Sequence, residues 1–169
     1  MKLKIILAWL LGGVMTVLSF YPSWSQTAGT KEDPLFYATI LTIIICFFQA
    51  SKEHGKKYTI IGFGKNLGWF LGLSSFLFSG VLVFSVNNEL WWVETLHLVF
   101  TGLAIAVPYY AMIKFYPNGI MFHGALLSLV VGVLGFLGAF IGGWYNIGIG
   151  EFMAATPLVV WLYFSSKWL

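Results

Sequence analysis

Hydrophobic residues in this chain fall into six long runs, at residues 4–20, 34–49, 67–86, 92–113, 120–141 and 147–164, parted by short polar intervals. Runs of this length match a hydrocarbon core about 30 Å thick, although the second is short. A bilayer offers no water to the backbone, so each run has to satisfy its peptide groups internally as a helix, or join a closed barrel. The in–out alternation of a barrel strand is missing from stretches such as Thr42-Ile43-Ile44-Ile45. The pattern therefore predicts an all-α, polytopic transmembrane bundle of six helices, with residues 1–169 forming a single integral-membrane domain.

The first run admits a second reading. Lys2 and Lys4, an apolar stretch and then Ser23-Trp24-Ser25 before Gln26 also fit a secretory signal with small residues at its cleavage site. Cleavage would leave five spans and would not alter the orientation of anything after Gln26.

Composition sharpens the membrane expectation: 59% of residues are hydrophobic and only 9% charged, with a mean hydropathy of +0.87. A soluble domain lies far from these values. Lysine is the only basic residue, and its distribution sets the expected orientation. With the N-terminus inside, Lys2, Lys4, Lys52, Lys56, Lys57, Lys65, Lys114 and Lys167 fall on the cytoplasmic side, and only Lys31 falls outside. Both termini are then cytoplasmic, as expected for a bacterial cytoplasmic (inner) membrane protein that retains its first helix. The cationic connection at residues 50–66 should lie against anionic headgroups, or serve only as a topology signal. Trp24, Trp91, Trp92 and Trp144 mark the outer boundary, and Trp69 and Trp168 the inner one.

Small residues mark faces where helix backbones can approach closely. Gly64, Gly68 and Gly72 recur at four-residue spacing on the third segment, as do Gly135, Ala139 and Gly143 on the fifth, which is expected to be central. Gly68, Gly72, Gly135 and Ala139 suit either internal packing or association with other membrane subunits or a second copy. Pro108 and Pro157 can each break a helix, with Thr156 beside the second.

Ionisable residues within the runs are few, and such residues are retained mostly where they face protein or water. Glu94 and His97 stand three apart near the outer end of the fourth segment, and Thr101 and Pro108 continue their stripe inward. Glu151 opens the sixth segment and Glu89 closes an outer loop, so both would approach the pair if segments four and six are neighbours. Glu94, His97 and Glu151 are the catalytic candidates, and with Glu89 they form the set a divalent metal would use. The plainer alternative is a hydrogen-bonded pair at a wet helix end. One E-x-x-H falls short of the two such motifs and two further glutamates of a di-iron bundle, so no metal is expected. On the inner side, Tyr109, Tyr110, Lys114 and His123 lie at one depth and suggest a polar pocket, or an interfacial histidine and nothing more. His97 and His123 differ in depth by roughly 15–20 Å, too far to share one haem iron, and no cofactor is expected.

Common catalytic signatures are missing: there is no G-x-x-x-x-G-K-[ST], G-x-S-x-G or H-E-x-x-H motif. Cys46 is the only cysteine, which excludes an intramolecular disulfide and a C-x-x-C redox pair. The absence of arginine removes the bidentate clamp for phosphate or carboxylate. A net charge of +3 spread over loops makes no surface for nucleic acid. Three readings from different classes remain. The leading one is a non-catalytic subunit of a membrane assembly, or a self-associating bundle. The others are a small proton-linked transporter using the Glu/His cluster, and a membrane-embedded enzyme acting on a lipid at the outer leaflet. The scarcity of reactive groups leans against the enzyme.

Overall fold

The structure, a computed structural model, describes residues 2–18, 33–55, 67–84, 90–115 and 147–165, with scattered positions between 123 and 137. Five helices are present and no strand occurs among the described residues: α1 (Lys2–Leu18), α2 (Asp33–Gly55), α3 (Leu67–Val83), α4 (Trp91–Phe115) and α5 (Ile147–Ser165). The α5 helix corresponds to the sixth hydrophobic run. Of the fifth run, the described positions, His123 to Leu137, are helical and exposed; Gly135, Ala139 and Gly143 lie outside the described residues.

Consecutive helices α1, α2, α3 and α4 pack side by side, and α5 lies mainly against α1, with a slighter contact to α4. Two layers of core fix their directions. One joins Ile5 of α1, Phe47 and Ala50 of α2, Leu67 and Leu71 of α3, Met112 of α4 and Trp161 of α5. The other joins Phe36 and Ile40 of α2, Leu77 and Val81 of α3 and Ala104 of α4, with Phe152 of α5 packed on it. The first layer therefore collects the start of α1 and α3 and the end of α2, α4 and α5. Lys2, Lys4, Lys52, Glu53 and Lys114 all belong to that end of the bundle, and Asp33 and Glu94 belong to the other. The α4 helix ends in the lysine layer, and α5 starts at the opposite end.

Hydroxyl groups stitch these helices together. Ser51 of α2 donates to the carbonyl of Gly68 at 2.6 Å, and Ser75 of α3 donates to that of Ile44 at 3.0 Å. Gly68 and Gly72 are thus spent on the α2–α3 seam, where a Cβ at Gly72 would stand 3.0 Å from the Ser51 hydroxyl. These contacts explain why α2 runs to Gly55, past the apolar run that ends at residue 49. Ala50 is fully buried and Ser51 bonds across to α3, so packing carries the helix through a charged stretch.

Large apolar side chains also cover the outside. Leu3, Phe76, Leu98 and Leu127 are each more than 60% exposed, and Leu10, Leu41, Phe48 and Leu134 are also exposed. A helix that is apolar both inward and outward is adapted to a non-aqueous surround or to a partner. By length and composition, α2 from Pro34 to His54 and α4 from Trp91 to Phe115 can each cross a membrane.

Candidate functional site

The polar stripe of α4 is arranged around His97. This side chain is 2% exposed, whereas Glu94, three residues earlier, is exposed. Glu94 therefore sits at the edge of the face that buries His97, and the two do not share one enclosed site. The ring turns instead to the end of α3. Its Nδ1–H donates to the carbonyl of Phe84 at 2.5 Å, and the carbonyl of Val81 also lies against the ring. Carbonyls in the last turn of a helix lack intrahelical donors, so His97 caps α3 from a neighbouring helix. A carbonyl can only accept, which places the proton on Nδ1 and leaves Nε2 of the neutral ring as a lone-pair acceptor.

A glycine brings the two helices close enough for this contact. Gly80 of α3 is buried under the ring of Phe100, and a Cβ at that position would run into it. Phe100 fills the notch between Phe76, met edge-on with centroids 6.4 Å apart, and Phe84, stacked at 5.4 Å. His97 and Phe100 are three residues apart, so both reach α3 from one side of α4.

One turn further along α4, Thr101 lines a cavity of about 50 Å³ together with His97; Phe36, Ile40, Val81 and Leu158 supply part of its apolar wall. The hydroxyl oxygen of Thr101 is buried there without a hydrogen-bond partner. Pro108 is buried on the same stripe, inside a helix that continues unbroken to Phe115.

Of the remaining acidic candidates, Glu151 stands in the first turns of α5, its side chain outside the described ones, and Glu89 lies outside the described residues. Among the described residues no group of three or more His, Cys, Asp or Glu side chains comes together in a way that could hold a metal.

At the lysine end, the four residues grouped by depth point in different directions. Tyr109 is buried in the core at 3% exposure, Tyr110 is 54% exposed, and His123 is exposed. Lys114 lies against aromatic faces, with Nζ 5.1 Å from the Phe70 ring centroid, 5.7 Å from Tyr110 and 5.8 Å from Phe115. Lys52 likewise lies 4.4 Å over Phe48. Long cationic side chains that rest their stems on apolar rings keep their charge at a boundary between greasy and wet surroundings.

The seam between α1 and α5 carries a polar contact that sequence reasoning did not single out. The Nε1–H of Trp9 donates to the Thr156 hydroxyl at 3.1 Å, and the Trp9 ring stacks on Phe152 with centroids 5.7 Å apart. Gly13, one turn from Trp9, leaves room for the Phe152 ring 3.4 Å from where its Cβ would be. The four-residue steps Trp9–Gly13 and Phe152–Thr156 were visible signals, but nothing in either segment said that the two would meet. Thr156 also donates to the carbonyl of Phe152, one position before the carbonyl that Pro157 leaves without its helical donor.

The chain matches no family model, no curated protein and no solved structure.

Proposed function

We propose that this chain is a six-span integral membrane protein of a bacterial cytoplasmic membrane, with both termini and the lysine-rich end in the cytosol. In this reading its role is structural: it is a non-catalytic subunit that associates with other membrane proteins or with itself. The observation that carries the reading is the gathering of lysines at one end of the bundle. Lys2, Lys4, Lys52 and Lys114 stand there, with Glu53 the one acid beside them among the described residues, while Asp33 and Glu94 stand at the other end and apolar side chains cover the outside between them. The end of α4 in the lysine layer and the start of α5 at the opposite end support a sixth span at residues 120–141. Tryptophans 91 and 92, both exposed, fit the outer headgroup level, and Trp69 fits the inner one.

Two features favour a structural role over a carrier or a lipid enzyme. His97 is committed to closing the end of α3, and Glu94, at the edge of the same face, is exposed. Gly68 and Gly72 are consumed by internal packing, so association with a partner falls to the Gly135 and Ala139 face and to open positions such as Gly102, which has nothing within 4 Å.

Gentle detergent extraction followed by mass measurement of the intact particle, with metal analysis, tests this reading. The expected result is a stable homo- or hetero-oligomer without stoichiometric metal. A chain that is monodisperse in plain buffer, or a monomer carrying one metal per copy, contradicts it.

A further inference from the structure

We infer that the cavity beside His97 and Thr101 is a hydration site, holding ordered water inside the bundle about 15 Å along α4 from Trp91. The hydroxyl of Thr101 is the starting point. Every other serine or threonine whose side chain is described gives its proton to a carbonyl. Thr39, Thr42, Ser74, Ser79, Thr95 and Thr156 bond back along their own helices, and Ser51 and Ser75 bond across to a neighbour. Thr101 instead lines the cavity with its oxygen buried and unpartnered. A hydroxyl in that condition carries its full desolvation penalty, and water is the smallest molecule that removes it.

Room and chemistry both suit this occupant. A volume of about 50 Å³ is room enough for water. Two polar partners of opposite character face it. The Thr101 hydroxyl donates or accepts, and the His97 ring, with its proton fixed on Nδ1 by the Phe84 carbonyl, offers Nε2 as an acceptor. Two or more such partners are what distinguish a hydrated cavity from a dry one. The inference needs the packing of α2, α3, α4 and α5 around this point; it does not depend on the orientation or the oligomeric role proposed above.

Water-to-protein magnetisation transfer by solid-state NMR on the intact labelled protein in lipid, combined with thermal unfolding of Thr101→Val and Thr101→Ser, tests it. The expected result is transfer from water to the Thr101 and His97 signals at mixing times where Leu71 and Leu77, buried but away from the cavity, receive none. Thr101→Val should then lower Tm by about 2–4 °C, and Thr101→Ser should stay near the parent. Absence of water transfer to Thr101 in the parent protein overturns the inference, whether or not the variants fold. A Tm for Thr101→Val equal to or above the parent's also overturns it, since that is the response of a dry, unpaired hydroxyl.

Discussion

His97 of α4 donates its Nδ1–H to the carbonyl of Phe84, thirteen residues earlier, and so closes the end of α3 from outside that helix. The same ring lines the mid-bundle cavity, so a single side chain couples the α3–α4 corner to the interior. On these grounds His97→Ala should destabilise the protein by about 1–3 kcal/mol through a partly buried carbonyl left without its donor. Glu94→Gln, at an exposed position, should stay within about 0.5 kcal/mol of the parent. Thermal unfolding in one detergent compares the two. Equal losses would mean that the acid and the imidazole act as a pair, contrary to the geometry.

Gly80 and Gly102 separate glycines that the fold needs from glycines it tolerates. Gly80→Ala forces the Phe100 ring out of its notch and should cost about 1–3 kcal/mol. Gly102→Ala meets open space and should be neutral or stabilising by up to about 1 kcal/mol, as helix propensity favours alanine. Combining Gly80→Ala with Phe100→Ala should recover part of the loss. If Gly102→Ala is the more damaging of the two, that face is covered by a partner.

The contact between Trp9 and Thr156 ties the first helix to the last. Trp9→Phe keeps the stack on Phe152 and removes only the N–H donor. Its cost should therefore fall near the 0.6–1.7 kcal/mol range roughly expected of hydrogen bonds between membrane helices. A double-mutant cycle with Thr156→Val should show coupling of about the same size. No measurable coupling would mean that α1 does not dock on α5. The same docking, with Ile5 fully buried in the core, predicts that the mature protein keeps its first helix, and intact mass is the check.

The helices were legible because long apolar runs mark them, and each described helix lies over such a run. Their ends were less so. The sequence places the end of the second segment at residue 49, but Ala50, Ser51 and His54 are drawn into packing that no hydropathy pattern registers. Three-residue spacing put Glu94 and His97 on one face without saying where that face meets its edge. His97, Thr101 and Pro108 turned out to hold the buried stripe, with Glu94 beyond it. The role of His97 was beyond reach from sequence, because its partner is a carbonyl on another helix and any residue could supply that atom. Glycine spacing announced close approach, and Gly72 bears it out. The choice of Ser51 and Phe100 as the groups seated on glycines came from three-dimensional packing alone.

The central claim is that the bundle crosses a membrane with its lysine-rich end in the cytosol, and sidedness measures it most directly. In a Cys46→Ala background, single cysteines at Lys56 and at Asn88 would be exposed to a membrane-impermeant thiol reagent in intact and in permeabilised cells. The account predicts that Asn88→Cys is labelled in intact cells, and that Lys56→Cys is labelled only after permeabilisation. Labelling of both positions from the same side, or the reverse assignment, would contradict it.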